Sequence, residues 1–425
     1  MREMKDSGIE WIGDAPQNWQ LVRIKVCISR RDSGAWGEEA MGEPGDCVCI
    51  RVADMDYNRL RLKDDLPFTY RNYEEKVIES LKLADGDILI EKSGGGEKTL
   101  VGRAVMFRGT LQAVFANFME RIRCRDFVRS RFLLYILAVL YQSGYIKNYI
   151  KQTTGIQNLD ISSMFSKEYL ALPPVVVQDR ITDYLDRKCS QIDAIIARQQ
   201  EVIEKLKAYK LSVITEAVTS TDSQMCRFRN CITTIEQGWS PAPAEIVGEE
   251  GWFVLSLSAV KNGKFIKLSK KPIDANENIP TKLSIKVGDL LMTRSNTREL
   301  VGDVCLVDSD CPKTIFSDLI YRISLNDTLL PCYAIFLLQS AFIRQQIQES
   351  ARGSSGTMPK ISHKSIKNLN IYLPSIPEQR EISGFLRNKC NCIDTCIQEK
   401  ERLIKKLTAY KKSLIYEVVT GKKEA

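Results

Sequence analysis

Residues 205–219 read Lys205-Leu206-Lys207-Ala208-Tyr209-Lys210-Leu211-Ser212-Val213-Ile214-Thr215-Glu216-Ala217-Val218-Thr219. Residues 406–420 read Lys406-Leu407-Thr408-Ala409-Tyr410-Lys411-Lys412-Ser413-Leu414-Ile415-Tyr416-Glu417-Val418-Val419-Thr420. The two stretches match at an offset of 201, and the match runs back without a gap to Leu172-Pro173 against Leu373-Pro374, through Gln178 against Gln379. Ile181, Leu185, Cys189, Ile192, Ile196, Ile203, Leu206, Val213 and Ala217 recur at three, four or seven residues, which is the period of an apolar helical stripe. Ile382, Leu386, Cys390, Ile393, Ile397, Ile404, Leu407, Leu414 and Val418 repeat it in the second copy. Each stretch predicts a helix of ~40 residues, about 60 Å long at ~1.5 Å per residue. Such a helix cannot bury its own stripe, and the simplest partner is its copy. The short connection after Thr219 turns the chain back, so the pair is expected to be an antiparallel coiled coil.

Outward from these helices the repeat weakens but persists. Gly86-Asp87-Ile88-Leu89 answers Gly288-Asp289-Leu290-Leu291, and Leu100-Val101-Gly102 answers Leu300-Val301-Gly302. Phe115, Arg121 and Ile122 fall opposite Phe316, Arg322 and Ile323. Between these anchors the sequences differ almost completely. Short β-rich runs such as 47–52 and 87–90 alternate with Gly-containing turns, and 127–151 and 331–351 look helical. The expected class is α+β, with two mixed α/β modules joined by two long helices in a pseudo-two-fold repeat. The modules span 1–171 and 222–372; the constant segments span 172–221 and 373–425. Copy one has Val175-Val176-Val177 where copy two has Ile376-Pro377-Glu378, so a different helix entry is expected there.

The composition narrows the chemistry. One histidine, His363, cannot easily supply a Ser-His-Asp triad, a Cys-His dyad or a His-rich metal site. Thirteen cysteines include no C-x-x-C pair, and reduced buried thiols are the expected state. The opening residues lack the apolar core of a signal peptide, and no apolar run is long enough to span a bilayer. A cytoplasmic protein is expected. The net charge of +8 divides into zero for 172–219, +3 for 373–420 and +5 for the remainder. That balance permits nucleic-acid binding without demanding it. Catalytic residues and metal ligands are expected to be absent.

Two loop pairs are candidate contact sites. Glu91-Lys92-Ser93-Gly94-Gly95-Gly96-Glu97-Lys98 lacks the Walker pattern, and its counterpart Thr293-Arg294-Ser295-Asn296-Thr297-Arg298 is not glycine-rich. A nucleotide site would not change so fully between repeats. Loops that touch different bases would, with Arg or Lys on guanine and Asn or Gln on adenine. Lys92, Ser93, Lys98, Arg294, Ser295, Asn296 and Arg298 are the candidates there. The second pair, 152–158 and 352–360, adds Gln157, Asn158 and Lys360. Solvated connecting loops are the other reading of both pairs. On the helices, Lys205, Tyr209, Lys210, Lys406, Tyr410 and Lys411 are repeated although off the stripe. A repeated exposed surface suits two copies of one partner.

The organisation resembles the DNA specificity subunits of type I restriction–modification systems. The carriers are Ser7-Gly8-Ile9-Glu10-Trp11-Ile12-Gly13-Asp14-x-Pro16-x-x-Trp19, Leu373-Pro374-x-x-Pro377-Glu378-Gln379, and the Ala-Tyr-Lys endings of both helices. The resemblance covers the whole chain. It implies two target recognition domains, each reading half of a bipartite site on double-stranded DNA. It implies helices that fix the spacer and dock two modification (methyltransferase) subunits. S-adenosylmethionine, ATP and Mg would be used by those and by the restriction (helicase-nuclease) subunits, and no cofactor by this chain. A recognition subunit of another methyltransferase-based defence system, or an orphan without its nuclease, is the nearest alternative. A stand-alone Mg-dependent nuclease is a further one.

Overall fold

The structure is a computed structural model, and it describes residues 3–64, 67–96, 99–153, 155–220, 223–241, 251–274, 277–351 and 358–425. Two compact units divide the chain: 1–199 with 402–425, and 200–401. Both long helices, Val175–Thr219 and Ile376–Val419, contribute a segment to each unit. They are 45 and 44 residues long.

In the first unit, a six-stranded sheet has the order Ile28–Ser33, Met119–Cys124, Ile88–Glu91, Ala104–Met106, Arg61–Leu62, Met55–Asp56. Ile88 pairs with Ile122 and Leu89 with Arg121. A second sheet of four strands has Ala113–Phe115 parallel to Asp46–Ile50. Burial of the stripe organises everything else. Ile181, Leu185, Cys189 and Ile192 of the first helix pack with Leu414, Ile415, Val418 and Val419 of the second, and with the apolar helix Ser130–Gln142. Lys411 of the second helix donates to both carboxylate oxygens of Asp193 in the first at 2.7 Å, and to the Asn58 carbonyl at 2.8 Å. An early residue of one helix thus meets a late residue of the other, which makes the segments antiparallel. The Ser7–Trp19 motif closes the end of the second helix. Trp11, Ile12 and Trp19 are buried in the same core, and the Tyr416 hydroxyl donates to the Ile12 carbonyl. Gly421 adopts φ +78°, and a Cβ there would lie 2.4 Å from Pro16.

The second unit repeats the plan. Its main sheet runs Ile232–Gln237, Ile320–Leu325, Leu290–Thr293, Val304–Leu306, the same order as the first four strands above. Leu290 pairs with Ile323 and Leu291 with Arg322. Its other sheet has Phe253–Leu255 parallel to Thr314–Phe316. Val213, Ile214 and Val218 of the first helix share a core with Leu386 and Cys390 of the second and with Tyr333 and Leu337. Lys210 donates to Asp394 at 2.8 Å, the same pair of residue types as Lys411 and Asp193 but with the helices exchanged. Lys264 also reaches Asp394 at 2.7 Å. Burial would raise the Asp394 carboxyl, but the two lysines outweigh it and hold it below the usual range.

Two side chains, buried or nearly so, are repeated with their partners. The Arg121 guanidinium, fully enclosed, bonds Asp32 at 2.5 Å and the carbonyls of Lys82 and Ser80 at 2.7 and 2.9 Å. Arg322 bonds Glu236 at 2.8 Å, Asp289 at 3.2 Å and the carbonyls of Ser284 and Lys282 at 2.9 and 3.0 Å. The second is glutamine. Gln178 Nε2 donates to the carbonyls of Phe127 and Pro173, and its Oε1 accepts from the Arg129 amide at the start of helix Ser130–Gln142. Gln379 does the same with Thr328, Pro374 and the Leu330 amide at the start of helix Pro331–Gln339. Each module's main helix is thereby tied to a long helix. The expected difference in helix entry does not occur, because this lock uses backbone atoms that Val175-Val176-Val177 leaves unchanged. The segments expected to be helical, 127–151 and 331–351, also differ. The first ends its α-helix at Gln142 and turns into strand Ile150–Thr153; the second is two helices meeting at Ser340.

Gln178→Met keeps the volume but leaves one buried amide and two carbonyls without partners. It should destabilise the first unit by about 2–4 kcal/mol, with Gln379→Met doing so in the second. Denaturant unfolding of each variant is the measurement; loss below ~1 kcal/mol would mean that the glutamine does not hold the module helix in place.

Candidate nucleic-acid interface

The predicted contact residues separate into two groups. In the second unit, Arg294 follows strand Leu290–Thr293, and its carbonyl accepts from the Ile361 amide at 2.9 Å. A bridge between Ser295 and Lys360 brings the two predicted loops together. Arg294 and Lys360 line one polar cleft of about 960 Å³ with Arg227, Tyr321, His363 and Lys364. Among the described residues no carboxylate forms an ion pair with Arg227, Arg294, Lys360 or Lys364. Arg227 donates to the Asn368 carbonyl at 2.6 Å, and Arg294 more loosely to the Asp318 carbonyl at 3.4 Å. Glu349, a carboxylate in the same lining, accepts from Gln345. The His363 ring meets Tyr321 edge to face at 4.6 Å. Burial, then Lys367 and Arg294, push His363 below its ordinary pKa, so it is neutral at neutral pH.

The rest of that set is dispersed. Ser295 is buried and unavailable to a ligand. Asn296 turns its Oδ1 to the Thr297 amide and lines a different cleft of about 610 Å³, with Ser240, Leu257, Lys261 and Leu300. Arg298 is exposed on the same turn.

In the first unit the correction falls on Gln157. It is 5% exposed, accepts from the Val101 amide at 3.0 Å and donates to the Gly96 carbonyl at 3.2 Å. It braces the glycine-rich loop and cannot reach a base edge. Ser93 donates to Asn158 at 2.7 Å across the strands they occupy, and Lys92 donates to Ser33 Oγ at 3.0 Å. Lys98 lies outside the described residues, as does 352–357 of the second loop pair. Sequence reading missed Arg227, Tyr321, His363 and Lys364, which distant segments bring to Arg294. The one available signal was a single histidine beside a lysine. Among the described residues no group of three or more His, Cys, Asp or Glu is placed to hold a metal.

On the helices, Tyr209 and Tyr410 stand 48% and 51% exposed, with Lys205 and Lys406 beside them. Lys210 and Lys411 are instead occupied by Asp394 and Asp193. The exposed part of the repeated surface is therefore the Lys-Tyr part.

The fold is a duplicated sheet module on a duplicated long helix, with loops that differ between the copies. Residues 259–406 match the family "Type I restriction modification DNA specificity domain". The EcoKI specificity subunit of Escherichia coli K12 is 25% identical over 84% of this chain and 78% of its own length. The MjaVIII specificity subunit of Methanocaldococcus jannaschii is 24% identical over 96% and 93%. A chain from a structure described as the basis of complex assembly and conformational transition of the type I R-M system superposes with a TM-score of 0.69 at 13% identity, covering 95% of this chain and 98% of that one. The HsdS subunit from Thermoanaerobacter tengcongensis gives 0.50 at 14%, covering 96% and 98%; these two likenesses show the fold. Residues 259–406 thus match a DNA specificity domain, and over most of its length the chain is similar to specificity subunits of type I restriction–modification systems.

If Gln157 braces the loop, Gln157→Ala should lower the stability of the first unit by about 1–3 kcal/mol and leave target sequence preference intact. Thermal melting and methylation-site mapping read the two effects; a changed target with unchanged melting would return Gln157 to the interface.

Proposed function

We propose that each unit reads one half of a bipartite duplex target, while the paired helices set the spacer and hold two modification subunits. The carrying observation is that the frame is the same in both units and the loops are not. The carboxylate-bound arginine, the glutamine lock and the Lys–Asp pair recur, whereas Arg294 and Lys360 replace Lys92 and Asn158. A fixed frame with exchanged contacts suits two different half-sites held at a set separation. Two linked modules also gain effective concentration, so each half-site contact can be weak alone. The exposed Lys205-Tyr209 and Lys406-Tyr410 surfaces, being equal, suit two copies of one partner. S-adenosylmethionine, with ATP and Mg, belongs in this reading to the modification and restriction subunits. The cytoplasm, where DNA is met, is the compartment; the thirteen free cysteines accord with it, and among the described residues no helix is long and apolar enough to cross a membrane.

Methylation mapping of host DNA should return a bipartite motif with adenine modified on both strands. Inserting four residues after Gln199 and four after Lys400 lengthens both helices by about 6 Å, close to two base-pair steps. The mapped spacer should grow by about that many base pairs with both half-sites unchanged; altered half-sites at the old spacing would refute the ruler. Exchanging Tyr209 and Tyr410 for Asp should abolish co-purification with the modification subunit, and intact co-purification would clear those residues of anchoring it.

A further inference from the structure

Equivalent backbone bonds fix which residues correspond in the two modules. The Leu159 amide donates to the Lys92 carbonyl, and the Ile361 amide to the Arg294 carbonyl. The Met164 amide donates to the Asp160 carbonyl, and the Ile366 amide to that of Ser362. Lys92 therefore stands where Arg294 does, Asn158 where Lys360 does, and Ser162 where Lys364 does. Arg23 and Arg227 also correspond, each preceding a short 3₁₀ helix that starts on a carbonyl of the other side of the module.

The charge at these positions is unequal. The second module presents Arg227, Arg294, Lys360 and Lys364 to one cleft, none of them paired with a carboxylate among the described residues. At the equivalent positions the first module presents two cations without an ion pair among the described residues, Arg23 and Lys92, which bond the Tyr169 hydroxyl and Ser33. Its additional cation, Arg31, is neutralised by Glu120 at 2.9 Å and also bonds Ser162. The strand position of Glu120 is taken in the second module by the uncharged Tyr321. Four cations without an ion pair, against the single carboxylate Glu349 in the lining, give an open polar cleft that matches the phosphodiester backbone of duplex DNA, whose contacts position the protein without reading sequence.

We propose that the Arg227–Arg294–Lys360–Lys364 cleft is a DNA-backbone site, and that the second module carries the larger share of the salt-dependent affinity. This rests on the DNA-reading function proposed above. The first module then depends more on contacts to bases and on being held in place by its tethered neighbour.

The test measures binding of the full chain, assembled with its modification subunits, to a mixed-sequence DNA duplex across a series of salt concentrations. Lys360 and Lys364 are both exposed, so Lys360→Gln with Lys364→Gln should melt like the parent. The slope of log affinity against log salt should fall by about 2 in that variant, and by about 1 in Lys92→Gln. Asn158→Lys with Ser162→Lys should raise it by about 2. A parent complex that binds duplex while the Lys360/Lys364 variant keeps its slope overturns the inference and leaves the DNA-reading function standing. An equal or greater loss of slope in Lys92→Gln overturns the unequal division. A parent complex that fails to bind any duplex overturns both readings.

Discussion

An apolar stripe on a helix of about 45 residues has to be covered along its whole length, and no local fold can do it. The chain meets that demand by carrying the helix twice and laying the copies antiparallel within each unit. The end of each helix is a more crowded place than its middle. There it meets the other helix and the apolar helix of a module together, so Ile214 and Val218 in one copy, and Ile415 and Val419 in the other, join the buried face. The Lys–Asp pairs lie at the margin of this seam, where burial is partial and an ion pair costs less to desolvate than in a core.

On that scaffold the modules divide their residues sharply between frame and surface. Arg121 is enclosed and Arg322 largely so, both bonded mainly to acidic side chains and backbone carbonyls, with Phe115 and Phe316 beneath them. Nothing about them is free to read a ligand. The cations that line the second module's cleft are at the loop ends and on the short helix 363–367, and the number at the equivalent positions changes from one module to the other. Electrostatics thus varies where geometry does not.

Much of the fold was legible because helical period and internal repetition are both one-dimensional signals. The stripe, the offset of 201 and the paired anchors at Phe115 and Phe316 could be read directly. Their reasons could not. Gln178 and Gln379 showed as an identity, but their partners are backbone atoms, which carry no sequence. The contact loops were found and partly misassigned. Gln157 looks like a ligand in a glycine-rich loop, yet that loop has unpaired backbone groups of its own and the glutamine satisfies them. Arg227, His363 and Lys364 escaped notice because only the folded sheet brings them to Arg294.

The glutamine lock has one more property. Each glutamine recognises an amide and two carbonyls, and no side chain of the module takes part. A joint of that kind is blind to the amino acids it holds. Residues at 127, 129, 328 and 330 can drift in identity while the joint stays closed, provided the backbone keeps its course. Divergence at these four positions is therefore uncoupled from the glutamine joint, and the loops beyond it can be rewritten without loosening that attachment.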